Sequence, residues 1–189
     1  MKINPAKLLL LTVVLMPAVV FAYFNPGKPT GFLNDFAGIL TTEQKSVLEN
    51  TLSQNKQSTS NEISVVTVKS LDGDTVENFA EKLFKEWNIG DEKKDNGALL
   101  LIAIDDRKLR IEVGYGLEPV LTDAVSSQII RNVITPKFKQ NDYYGGITDG
   151  VAQIILATKG EFSASEPKQA PFWTNFELDL FIFWLGLGL

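Results

Sequence analysis

Residues 98–113 read ALLLIAIDDRKLRIEV, and this stretch decides the fold. Ala98 to Ile104 is an almost unbroken apolar run, short enough for a strand and apolar enough to be buried on both faces. Asp105-Asp106-Arg107 reads as a turn. Leu109 to Val113 alternates apolar and charged residues, the period of a half-exposed strand, so the two runs form an antiparallel hairpin. A strand covered on both faces needs helices above and below it, and the flanking sequence supplies them.

Upstream, Glu62 to Val68 (EISVVTV) is short and β-branched, as a strand requires. Between the two strands, Asp74 is placed to cap a helix reaching about Trp87. Val76, Phe79, Ala80, Leu83, Phe84 and Trp87 share one face of that helix. Gly90 suits the position just past its end. The 62–68 strand, this helix and the 98–104 strand make a crossover unit, which sets the two strands parallel. An earlier helix runs from Thr41 to about Ser58, with Thr41 and Gln44 at capping-box spacing and Val47, Leu48 and Leu52 as a partial apolar stripe. Two helices follow the hairpin. One covers 122–134 and stops before Pro136; the other covers about Tyr144 to Thr158, with Ile147, Val151, Ile154 and Ile155 inward. The expected fold class is α/β: a three-layer α/β/α sandwich with a mixed, mostly parallel central sheet plus one antiparallel hairpin.

The ends differ from this middle domain. Residues 1–22 read as a signal peptide: Lys2 and Lys7, then a largely apolar run from Leu8 to Val20, then Val20-Phe21-Ala22 ahead of a cut before Tyr23. Residues 23–31 are a Pro/Gly-rich linker, 32–160 the domain, and 161–171 a polar linker. Residues 172–189, FWTNFELDLFIFWLGLGL, form an apolar tail shorter than the ~20 residues of a membrane span. Three readings of the tail stand side by side: the start of a transmembrane helix cut short, an interfacial anchor, or a segment packed on the domain. Export places the chain in the periplasm or an equivalent extracytoplasmic space, with membrane association through the tail.

Composition limits the chemistry. The chain has 0 His and 0 Cys. Thiolate metal sites, disulfides, the usual catalytic triads and histidine proton shuttles are therefore excluded. A formal net charge of −5, with no dense Lys/Arg cluster, argues against a nucleic-acid partner. Carboxylates and amide oxygens remain. Because strands 98–104 and 109–113 are joined by a tight turn, their open ends lie side by side. That brings Asp95 and Asn96 near Gly114-Tyr-Gly116, Glu118 and Asp123. Such an oxygen-rich set suits a hard cation, calcium or, as the alternative, magnesium. The competing reading is structural. Asp95-Asn96-Gly97 is also turn chemistry, and Asp123 also suits a helix terminus. Asp105 and Asp106 read as a solvated turn, and Lys93 and Lys94 as a solvated loop.

An ordered series of short motifs adds to this: Leu33-Asn-Asp35-Phe-Ala-Gly-Ile-Leu40, Val65-Val-Thr-Val68, Phe84-x-x-Trp87-x-Ile-Gly90 and Asp95-Asn-Gly-Ala-Leu-Leu-Leu101. It continues with Arg110-Ile-x-Val-Gly-Tyr-Gly-Leu-Glu118, Leu121-Thr-Asp123 and Pro136-x-Phe138, then Tyr143-x-x-Gly146-Ile. From Phe32 to about Glu161 the chain resembles the TPM domain family, named for plant thylakoid, photosystem-repair and nematode members. The resemblance implies an α/β/α sandwich, export or membrane attachment, often a C-terminal membrane segment, calcium binding in some members and acid phosphatase activity in others. It also adds Asp35 to the candidate metal ligands Asp95, Asn96, Glu118 and Asp123. Two functions are expected on this basis. One is a non-catalytic envelope module that binds calcium or a protein partner and assists a membrane complex. The alternative is a metal-dependent phosphomonoester hydrolase. No arginine stands near the cluster in sequence to clamp a phosphate, with Arg107 and Arg110 toward the hairpin turn and Arg131 distant, which favours the binding module.

Overall fold

In the computed structural model, residues 25–163 are described. Residues 1–22, read as a signal peptide, and the apolar stretch 172–189 lie outside these residues, as do residues 23–24 and 164–171 of the expected linkers. Among the described residues no helix is long and apolar enough to cross a membrane.

The sheet has four strands in the order β1-β2-β3-β4: β1 Leu33–Asp35, β2 Glu62–Val68, β3 Gly97–Ala103 and β4 Lys108–Val113. β1 and β2 are parallel, β2 and β3 are parallel, and β4 runs antiparallel to β3. Every residue of β3 is buried, as its apolar run requires. Its side chains divide by parity, as a pleated strand dictates. Ala98, Leu100 and Ile102 face one core with Leu48, Leu52, Ile129, Ile147, Val151 and Ile154. Leu99, Leu101 and Ala103 face the other with Phe79, Ala80 and Leu83. Each buried Leu, Ile, Val or Phe side chain among these contributes about 2 kcal/mol relative to leaving it in water.

The helices are α1 Thr42–Thr59, α2 Val76–Glu86, α3 Asp123–Ile129, α4 Thr135–Phe138 and α5 Tyr143–Thr158, with a π-helical turn at Ile130–Ile134 between α3 and α4. The α1 cap forms as expected: Thr41 Oγ1 accepts from the Gln44 amide at 3.3 Å, and the Gln44 side chain accepts from the Thr41 amide at 2.9 Å. Val47 departs from the expected stripe, for it is 52% exposed. The N-cap of α2 is Thr75 rather than Asp74; Asp74 instead holds the Asn78 side chain.

Two expectations are corrected. Residues 33–35 were read only as a motif ahead of the first helix, yet they form an edge strand. Its N-terminal end is secured by Glu49, whose carboxylate accepts from the Phe32 and Leu33 amides at 3.0 and 2.7 Å. The helix expected to stop before Pro136 continues through it. The π turn replaces the ordinary ladder just ahead of Pro136, with the Thr135 amide reaching back to the Ile130 carbonyl. A residue with no N–H is then accommodated in the first turn of α4, where a donor is not needed.

Candidate functional site

At the N-terminal end of β3, two loops are locked together through their backbones. Gly114 donates to the Gly97 carbonyl at 2.9 Å and Gly116 to the Asp95 carbonyl at 3.0 Å. Glycine is needed for the approach: a Cβ at Gly114 would overlap the Asp95 carbonyl oxygen, and one at Gly116 the Lys94 carbonyl oxygen. Gly90, at φ +105°, and Gly97 meet in the same close-packed way. The open hairpin ends therefore do lie side by side, as the tight turn demanded.

Their carboxylates do not converge with them. Asn96 is 5% exposed and fully engaged: its Nδ2 donates to the Ser60 carbonyl at 2.7 Å, and its Oδ1 accepts from the Asp91 amide at 2.9 Å. Asp91 in turn accepts from the Lys93 and Lys94 amides, so residues 91–96 form a turn held by its own side chains. Asp95 is exposed and lines a depression with Asp91, Glu92, Asn88 and Phe84. Glu118 and Asp123 line a different one, shared with Arg110, Glu112 and Thr122. Arg110, placed toward the hairpin turn from sequence, lines the same depression as these two carboxylates, and its Nε is bound to Glu112 at 3.0 Å.

Asp35 sits at the other end of the sheet. It pairs with Thr67, whereas Gly97 pairs with Glu62, five residues earlier on β2. That separates them by roughly 16 Å along the strand. The Asp35 side chain is wholly excluded from solvent. It accepts from Thr67 Oγ1 at 2.5 Å and from the amides of Gly38, Ile39 and Leu40 at 3.1, 3.2 and 3.1 Å, and it pairs with Lys45 Nζ at 3.2 Å. Burial alone would raise its pKa. The hydrogen bonds from Thr67, Leu40, Ile39 and Lys45 outweigh burial and hold the carboxyl below the ordinary aspartate value.

Asp35, Asp95, Asn96, Glu118 and Asp123 therefore occupy three separate places. Among the described residues no three acidic side chains are grouped to hold a metal ion. Calcium asks for six to eight oxygens, and the oxygens of Asp35 and Asn96 are already taken by protein donors. The five residues do not fit a single calcium or magnesium site. Of the turn acids, Asp106 is not merely solvated: its carboxylate accepts from the Leu71 amide at 2.8 Å.

Tyr115 was missed by the sequence reading. It stands between the two clasped glycines and is 78% exposed. The signal was present in Gly114-Tyr-Gly116, since two glycines committed to backbone contact leave the residue between them no cover.

The TPM domain profile matches residues 33–157. A search of curated proteins finds no match. Among solved structures, the N-terminal domain of a protein from P. gingivalis is 32% identical. It aligns over 77% of this chain and 98% of its own, with a TM-score of 0.67. A protein of the psychrophilic bacterium Bizionia argentinensis is 25% identical over 67% of this chain and 86% of its own, with a TM-score of 0.56. The N-terminal domain of a Corynebacterium glutamicum protein is 18% identical over 79% and 93%, with a TM-score of 0.53, and shares the fold. With the profile spanning the sheet, both cores and the glycine clasp, the chain belongs to the TPM domain family.

Proposed function

We propose that this chain is an exported, membrane-associated envelope domain that works by binding a protein partner through the Tyr115 end of its sheet, in support of a membrane complex. The observation that carries the reading is Tyr115 itself. A tyrosine 78% exposed on a loop clasped by Gly114 and Gly116 is a large amphipathic contact with little freedom left to lose. Such residues dominate protein interfaces. The exposed carboxylates Asp91, Glu92, Asp95 and Glu118 outnumber the exposed Lys93 and Lys94 on the loops beside it, so the surface favours a partner segment with basic side chains. Export and membrane association rest on residues 1–22 and 172–189 of the sequence.

The alternative, a phosphomonoester hydrolase, is supported by Arg110 beside Glu118 and Asp123, a cation where the sequence reading expected none. Against it, that guanidinium is already committed to Glu112, and the acids are not grouped for a metal. A photo-crosslinking amino acid at position 115, expressed in the native envelope, tests the binding reading. A discrete protein adduct is expected at 115 and not at 47, another exposed apolar position. The adduct should vanish when Asp95 and Glu118 are both changed to Lys. Identical labelling at both positions, or none at 115, would sink the reading. Survival of the adduct after chelation separates protein binding from a calcium-dependent contact. Hydrolysis of an aryl phosphate that is lost in Arg110→Gln would favour the alternative.

A further inference from the structure

At the opposite end of the sheet, where β3 passes into β4, a cavity of about 460 Å³ opens between the hairpin and the α4–α5 connection. That is an ordinary size for a small-molecule site. Its apolar part comes from Ile102, which is buried, and from Leu109 and Phe138, which are half-buried. Tyr143 closes this side, meeting Phe138 edge to face at 5.1 Å. Its charged part comes from Arg107, Lys108 and Lys139, all exposed.

Three facts set this cavity apart. No carboxylate lines it, in a chain whose net charge is −5. None of the three cations forms an ion pair among the described residues. The nearby acids are engaged elsewhere or point out: Asp106 holds the Leu71 amide, Asp142 holds Lys137 and the Gly145 amide, and Asp105 is exposed in the turn. The placement is also that of a binding crevice. It lies beyond the carboxyl end of β3, where open α/β sheets accept ligands. The π turn Ile130–Ile134, a feature that recurs at functional sites, runs directly into Thr135 on its wall.

We propose that this cavity binds a small anionic amphiphile. The apolar body rests on Ile102, Leu109 and Phe138, and a single sulfonate, phosphate or carboxylate group is held by Arg107, Lys108 and Lys139. A bare inorganic anion would leave the apolar wall wet. A neutral apolar molecule would leave three cations unanswered, and a cation would be repelled. This site shares no residue with the Tyr115 surface, so it stands or falls independently of the partner-binding reading.

The test uses 1-naphthalenesulfonate, which cannot be hydrolysed, titrated into the isotopically labelled full chain and followed by amide NMR shifts. Saturable shifts are expected at Leu109, Phe138 and Tyr143. Inorganic sulfate and 1-naphthol, each supplying half of the ligand, should bind about tenfold more weakly or worse. Arg107→Glu with Lys139→Glu should weaken binding by about tenfold or more. The milder pair Arg107→Gln with Lys108→Gln should weaken it in the same direction. Lys93→Glu with Lys94→Glu, at the other end of the sheet, should leave it unchanged. The proposal is overturned by equal affinity for 1-naphthol, or by shifts centred elsewhere. It is also overturned if both cavity variants bind normally. Perturbation of these amides by phosphatidylglycerol vesicles but not by the soluble probe would overturn it too, since the face would then be a membrane contact.

Discussion

Asp35 shows how much one buried carboxylate can organise. Its five donors come from the turn that follows it, from Thr67 on the neighbouring strand and from Lys45 on α1, so one side chain ties β1, β2 and α1 together. An asparagine there keeps one acceptor oxygen for the Gly38 and Ile39 amides but sets an NH2 group against the Leu40 amide and Lys45, donor facing donor. Asp35→Asn should therefore cost about 3 kcal/mol at pH 7 by urea unfolding. The pH dependence follows from the lowered pKa. The folded chain holds fewer protons at this site than the unfolded chain, whose aspartate titrates near 3.8. The stabilisation is complete above that value and is lost as pH falls through the lower folded value. The gap between parent and Asp35→Asn should thus shrink as pH falls below the ordinary aspartate range; parallel curves would show that the carboxylate is not the source. This role was not legible in the sequence. The family resemblance alone placed Asp35 among the metal ligands; a carboxylate's chemistry does not reveal its donors, and here they are backbone amides, Lys45 and a threonine 32 residues away. For Asn96, named as a metal ligand with turn chemistry as the competing reading, the structure favours the turn, because its partners include the turn's own Asp91 amide.

At the scale of elements, the glycine clasp separates shape from contact. Gly116→Ala would drive a Cβ into the Lys94 carbonyl, a backbone atom that cannot step aside, and should cost about 2 kcal/mol. Tyr115→Ala, one residue away, removes a side chain that touches mostly water and should change stability by no more than about 0.5 kcal/mol. Thermal unfolding of the two variants checks this; comparable losses would mean that Tyr115 packs on the domain and is not free for a partner. The elements themselves were largely legible where the signal was local and sustained: β-branched residues in β2, the unbroken apolar run of β3, the alternation of β4 and the apolar face of α2. β1 was not, because Leu33–Asp35 is too short to show alternation and is held in place by a carboxylate from α1. Missing β1 had a direct consequence, since only its parallel pairing with β2 reveals that Asp35 lies at the far end of the sheet. The passage of helix through Pro136 was illegible for a different reason: the π turn that permits it has no residue signature.

For the whole molecule, the decisive feature is that β3 belongs to both cores. Neighbouring residues such as Leu99 and Leu100 point to opposite faces of the sheet, so neither core can be lost without exposing a strand the other depends on. All strands and both clusters fall within the described residues, and a domain of this length can bury enough surface to hold itself together. Residues 25–163 should therefore fold alone. Trp87 is the only tryptophan among them and packs against the α2 core, so its fluorescence reports that face, while far-UV circular dichroism reports every element. In urea the two signals should trace one coincident transition, as a two-state domain requires. Ending the chain at residue 142 removes Ile147, Val151, Ile154 and Ala157 from the other core while touching none of the α2 cluster. Through β3 that truncation should abolish the cooperative Trp87 transition as well. If Trp87 still unfolds cooperatively in the shortened chain, or the two signals separate in the longer one, the two faces of the sheet are independent units and the coupling through β3 is wrong.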